Sequence, residues 1–114
     1  MQFALLIYEK PGAYDGLADE ERQATFAEYW AIRDDPRIVD GAGLEPVDSA
    51  TTVRVQGGET LVIDGPFADT KEVFGGYYVF EADDLDAAIE VAAQLPAARF
   101  GGSVEIRPVL EARR

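Results

Sequence analysis

The chain has 114 residues, enough for one domain and not two, and a hydrophobic share of 47% with 28% charged residues excludes a disordered chain. Ten basic residues stand against 22 acidic ones, and the resulting net charge of −12 repels phosphate backbones and anionic lipid surfaces, which sets nucleic acid aside as a partner. Cysteine and histidine are both absent, removing disulfides, thiolate chemistry, the usual base near neutral pH and the commonest ligands of zinc, copper and iron.

In chain order, Phe3-Ala4-Leu5-Leu6-Ile7-Tyr8 is apolar on both alternating faces and reads as a buried strand. It opens without the basic flank of a signal peptide, and no apolar run approaches the ~20 residues of a membrane span. The expectation is a cytoplasmic protein with no membrane partner. Pro11-Gly12 breaks the strand and a polar loop follows. Asp19 is placed to cap a helix whose first turn carries Glu20 and Glu21, where the helix dipole favours negative charge. That helix runs to about Arg33 with Ala27, Trp30 and Ala31 as its expected inward stripe, and Asp34-Asp35-Pro36 ends it.

Ile38–Val47 is a weak strand, interrupted by Gly41 and Gly43 and marked as an edge or bulge by Pro46. Thr51–Val55 and Thr60–Asp64 flank Gln56-Gly57-Gly58-Glu59, a hairpin signal because paired glycines supply positive φ. Phe74–Glu81 is bulky on both faces. Asp83 or Asp84 caps a second helix, with Leu85, Ala88, Ile89, Ala92 and Leu95 at helical spacing and Pro96 as its stop. Val104, Ile106 and Leu110 form a last strand, with Pro108 near its end. This order is the split βαβ arrangement of a ferredoxin-like α+β sandwich with an added hairpin.

Both helices of such a fold cover one sheet face. Phe3, Leu5 and Ile7 occupy one side of the first strand and Leu6 and Tyr8 the other, so the uncovered face is itself apolar. Soluble monomers rarely expose such a patch. The expected remedy is a homodimer, sheet face against sheet face.

Asp64-Gly65-Pro66-Phe67-Ala68-Asp69-Thr70-Lys71-Glu72 has the marks of a functional loop. Gly65-Pro66 forces a turn that Asp64 can cap, Phe67 is placed to anchor it, and Gly75-Gly76 opens the next strand with a bulge or close backbone approach. Asp64 is the candidate catalytic base, set against a plain turn-capping carboxylate. Candidate ligand-binding residues are Tyr8, Tyr29, Tyr78, Lys71, Glu72 and Arg107; Tyr77 shares the pocket-or-core question with the other tyrosines. For Lys71 and Glu72 the alternative is an ion pair between subunits, and for Arg107 a charge partner of Glu105. Asp34-Asp35 and Asp83-Asp84 fall at helix ends, where capping explains them better than a metal. No metal and no cofactor are expected.

The run Asp64–Glu72, followed by Phe74-Gly75-Gly76-Tyr77-Tyr78, resembles the signature of the DGPF branch of the YCII-related proteins. The resemblance continues through Asp83–Ala88, Leu95–Ala98 and Gly102–Pro108, and spans Phe3 to Val109. It implies a dimeric α+β barrel made of two ferredoxin-like units, and it raises association with a sigma factor as a regulatory role. Some members carry a histidine on the first helix and an aspartate just before the proline that ends the second. Here those places fall at Phe26 and Leu95, so a histidine-based mechanism is not carried over. Two functions stay open: a small-molecule-binding or regulatory module without catalysis, and a cofactor-independent enzyme acting on a small organic substrate between sheet and helices.

Overall fold

The structure, a computed structural model, describes residues 1–66 and 70–111. Its strands are β1 (Gln2–Glu9), β2 (Ile38–Gly43), β3 (Thr51–Gln56), β4 (Glu59–Asp64), β5 (Val73–Glu81) and β6 (Ser103–Pro108), with helices α1 (Asp19–Arg33) and α2 (Leu85–Gln94). Four strands form one antiparallel sheet in the order β2-β5-β1-β6, and β3 and β4 pair only with each other. That is a ferredoxin-like α+β sandwich carrying an extra hairpin.

Alternation along β1 divides the sheet into two unlike faces. Phe3, Leu5 and Ile7 are buried beside Tyr78 and Phe80 of β5 under the helices. On the opposite face the register aligns Ala4 with Val79 and Arg107, Leu6 with Tyr77 and Glu105, and Tyr8 with Phe74 and Ser103. Leu6, Tyr8, Tyr77 and Val79 are half-buried there, and Phe74 is exposed.

The two helices are held differently. α2 begins at Asp84, whose carboxylate accepts the Ala87 N–H at 2.9 Å, and packs on β1 and β6 through buried Ala88, Val91 and Ala92, with Leu95 just beyond its end. Leu85 and Ile89, expected on that stripe, face solvent instead; Ala88 and Ala92 define the buried line and Val91 joins it. α1 buries only Thr25. Its sheet-facing line is Arg22, Thr25, Tyr29 and Ile32, not the expected Ala27, Trp30 and Ala31, all of which are exposed. Hydrogen bonding and packing act together on this line: Tyr29 and Ile32 lie against the core, and the Tyr29 hydroxyl finds the Ala97 N–H and the Tyr14 hydroxyl beneath the helix. Asp19 is the first helical residue and the cap position belongs to Ala18, so the acidic first turn contributes through the dipole alone.

The hairpin turns as the glycines require, with φ of 59° at Gly57 and 82° at Gly58. It stands away from the main sheet, tied at its base by the Gly65 N–H to the Ala50 carbonyl and by Thr52 Oγ1 to the Gly65 carbonyl. Val53, Val55, Val62 and Ile63 on it are all exposed. The projection shows in the radius of gyration, 16.1 Å, where a closely packed chain of this length has about 13 Å. The last strand stops at Pro108, and Leu110, expected within it, is 92% exposed. Phe67, the expected anchor of the loop, lies outside the described residues, as do Ala68 and Asp69.

Candidate functional site

Glycines shape the ground beneath α1. β1 and β5 pair in register up to Ile7 with Gly76, then Tyr8 pairs with Phe74, which leaves Gly75 as the extra residue of a bulge. A Cβ on Gly75 would stand 2.9 Å from the Glu9 carboxyl carbon, so the missing side chain is what lets Glu9 lie across the strand. On the next strand, a Cβ on Gly41 would meet the Tyr78 ring at 2.5 Å, and its absence lets that ring pack upright.

Two phenols then hold the helix off the sheet. The Tyr78 hydroxyl donates to the Tyr29 carbonyl at 3.0 Å, gripping α1 from below. The Tyr29 hydroxyl accepts the Ala97 N–H at 3.1 Å and is hydrogen-bonded to the Tyr14 hydroxyl at 3.2 Å, with either one able to donate. Burial pushes the Tyr29 phenol far above its ordinary value, assisted by the bond to Tyr14; burial likewise raises Tyr14 and Tyr78, the latter opposed by the Arg33 charge. These phenols are neutral struts.

The result is a cleft of about 310 Å³ between α1 and the sheet. Ile7, Phe26, Tyr29, Trp30 and Tyr78 give it aromatic and aliphatic walls, with Ala42–Leu44 and the strand Gly75–Tyr77 along one edge. Phe26 and Trp30 remain 46% and 63% exposed at its rim, and the Arg33 guanidinium lies 5.6 Å from the Trp30 ring centre. Among the described residues Glu9 is its one acidic lining residue and Arg33 its one basic one. The Glu9 carboxylate is half-buried without a hydrogen bond or ion pair among the described residues, and burial raises its pKa above the usual carboxylate range.

Among the sequence candidates, Tyr29 and Tyr78 fall in this cleft, while Tyr77 borders it along β5 with its side chain on the opposite sheet face. Tyr8, Lys71 and Glu72 come together elsewhere, around a more open hollow of about 610 Å³ shared with Lys10, Thr70 and Gly101. There Ser103 Oγ donates to Glu72 Oε2 at 2.8 Å and Thr70 Oγ1 donates to the Glu72 carbonyl, so Glu72 moors the loop to β6 within one chain. The Tyr8 and Phe74 rings meet at 5.5 Å beside it. Arg107 is exposed on the uncovered sheet face, on the same side of β6 as Glu105. Asp64 ends β4, exposed, opposite Thr51, and is not among the residues of either space. Among the described residues no three acidic side chains gather as a metal site, and no helix is long and apolar enough to cross a membrane.

Glu9 escaped the sequence reading. Its signal was a charged residue continuing an apolar strand in a chain whose Gly75-Gly76 pair already marked a bulge or close backbone approach, a place where backbone leaves room for a side chain.

A four-stranded antiparallel sheet, two helices on one face and a cleft under the first helix define a ferredoxin-like α+β protein. The YCII-related domain model matches residues 1–113, and the chain belongs to that family. An uncharacterised protein of Rhizobium meliloti strain 1021 is 33% identical over 114 residues, covering 96% of this chain and 92% of that one. Among solved structures, 5-chloro-2-hydroxyhydroquinone dehydrochlorinase of Burkholderia phenoliruptrix AC1100, in complex with 2,5-dihydroxybenzoquinone, superposes with a TM-score of 0.56 at 16% identity, covering 98% of this chain and 96% of that one. At that identity the likeness is one of fold.

Proposed function

We propose that this protein is a small-molecule-binding homodimer whose ligand site is the cleft between α1 and the sheet. One observation carries the reading: α1 is propped on tyrosine hydroxyls over an aromatic-walled space, with Phe26 and Trp30 left bare at its rim. Apolar cavities with a few placed polar groups are the usual form of ligand sites, and flat aromatic walls favour a flat ring. The dimer is supported by the uncovered face bearing Leu6, Tyr8, Phe74, Tyr77 and Val79, and by a hairpin with apolar side chains on both faces. A lone two-stranded hairpin is marginal in water, so a second copy lying over both relieves two exposures together.

Trp30 is the chain's single tryptophan and sits on the cleft, which makes its emission a reporter. Titration with 2,5-dihydroxybenzoquinone, corrected for absorption by the quinone, is expected to quench Trp30 saturably with one site per chain. A non-saturating response through millimolar concentrations overturns the cleft as the ligand site. Sedimentation at micromolar concentration is expected to give twice the chain mass of 12.4 kDa, and a monomer there removes the dimer. A second reading, a cofactor-independent enzyme, is favoured by the partnerless Glu9 carboxylate in the same cleft.

A further inference from the structure

The geometry points to Glu9 as the acid–base group of the α1 cleft, moving a proton between carbon and oxygen of a flat cyclic ketone and so interconverting it with its enol. The inference rests on the ligand-site reading above and adds to it a substrate class and a reaction.

The phenols of the cleft already have fixed hydrogen-bond partners, and Glu9 has none among the described residues. With no histidine or cysteine in the chain, proton exchange near neutral pH falls to carboxylates and phenols. The Tyr29 oxygen is occupied by Tyr14 and the Ala97 N–H, and the Tyr78 hydroxyl is occupied by the Tyr29 carbonyl. Glu9 alone among them has no partner among the described residues, and it rests on Gly75, where no side chain comes between it and the cleft. The groups facing it are Tyr14 from the loop after β1, Tyr29 and Arg33 from α1 and Tyr78 from β5, of which only Arg33 is charged at neutral pH. Arg33 does not pair with Glu9; desolvation is the cause of the Glu9 shift. A carboxylate made more basic by apolar surroundings is suited to abstract a weakly acidic proton near neutral pH.

The step balances within the site. A Glu9 carboxylate oxygen takes the proton from the ring carbon beside the ketone. The C–H electron pair becomes a carbon–carbon double bond, the carbonyl π pair moves onto oxygen, and the Arg33 guanidinium offsets the enolate charge. Glu9, now a carboxylic acid, returns its proton to that oxygen or to carbon. Neither oxidant nor co-reactant is used. The rings of Tyr29, Phe26 and Trp30 suit a flat substrate, and a planar enolate fits the same walls as the ketone.

The test uses 2-tetralone, a cyclic ketone fused to an aromatic ring, incubated with the full chain in deuterium oxide, with deuterium uptake beside the carbonyl read by proton NMR. Wild type is expected to exchange about 100-fold or more faster than buffer, the scale of positioned acid–base catalysis. Glu9→Gln is expected to fall to the buffer rate while still binding 2-tetralone by Trp30 emission. Arg33→Met is expected to slow exchange about tenfold with binding retained, the loss of one electrostatic contact to the enolate. Binding by wild type without faster exchange, or Glu9→Gln exchanging as fast as wild type, overturns the role of Glu9 and leaves the ligand site standing. Binding of 2,5-dihydroxybenzoquinone but not of 2-tetralone overturns the ketone class, and binding of neither overturns the ligand-site reading itself.

Discussion

α1 and α2 lie on the same face of one sheet, yet one is packed and the other is propped. α2 and the turn after it bury Ala88, Val91, Ala92, Leu95 and Ala97, small and branched side chains that bring the helix down onto β1 and β6. α1 buries a single residue, Thr25, whose hydroxyl is satisfied by the Glu21 carbonyl at 2.8 Å, and otherwise stands on Tyr29, Ile32 and the Tyr78 hydroxyl. Small residues let a helix close on a sheet; two long phenols set it at a distance and leave space between. The contrast teaches where stability and chemistry are divided: close packing carries the first, and a cavity lined by groups with spare valence permits the second.

The largest test of that division is to empty the packed half. Leu95, with no exposure, loses a full set of neighbours in Leu95→Ala, and a loss of about 2–5 kcal/mol is expected in urea unfolding. Trp30→Ala, at a bare position on α1, is expected to stay within about 0.5 kcal/mol of wild type in the same titration. Equal losses would break the comparison.

A smaller effect is expected from the strut. Tyr29→Phe removes the acceptor of the Ala97 N–H and the partner of Tyr14, and about 1–3 kcal/mol follows from a buried donor left unmade. If α1 instead rested on apolar contact, thermal unfolding would hardly change.

Gly75→Ala sharpens the comparison at the cleft floor. The new Cβ meets the far end of the Glu9 side chain, which can swing aside, so a change below about 1 kcal/mol is expected. Quenching of Trp30 by 2,5-dihydroxybenzoquinone should nonetheless weaken, because the displaced carboxylate intrudes on the cleft. Unchanged affinity would place the ligand elsewhere.

The smallest effect belongs to Glu9 and depends on pH. Burial raises its pKa above the ordinary 4.5, so the folded chain holds this proton more tightly than the unfolded one. The stability it contributes is complete below pH 4.5 and is lost as pH rises through the folded value. Glutamine cannot ionise, so Glu9→Gln is expected to be more stable than wild type at pH 7, with the gap closing toward pH 4. Half-exposure limits that gap to roughly a few tenths of a kcal/mol, within reach of melting temperatures compared across pH. A gap that widens on acidification would reverse the sign of the burial effect.

Much of this was legible in the residues because it depends on local rules. Side chains apolar on both faces marked β1 and β5, paired glycines fixed the hairpin turn, and Pro96 ended α2, whose cap was narrowed to Asp83 or Asp84 and is Asp84. Helical spacing identified Ala88, Ala92 and Leu95 but also admitted Leu85 and Ile89, since several stripes on a short helix have nearly the same period and only the opposing surface chooses one. On α1 the same ambiguity misled: the apolar stripe through Trp30 points outward because the inward line has core contacts and polar partners beneath it. Tyr29 and Tyr78 were found as candidates from residue type. Glu9 was not, because its environment depends on residues that the sheet register brings alongside it.

Sequence alone determined the element order, the strand faces, the turn chemistry and the absence of any histidine or cysteine at which proton transfer or thiol chemistry could centre. Tertiary structure decided which side of each helix turns inward, how far α1 stands from the sheet, and that a glutamate at the end of β1 lies over a bulged glycine in an aromatic cleft. The division follows from range: backbone propensity and alternation act between neighbours in the chain, whereas desolvation, cavities and unpartnered charge are properties of groups that meet only when distant segments pack.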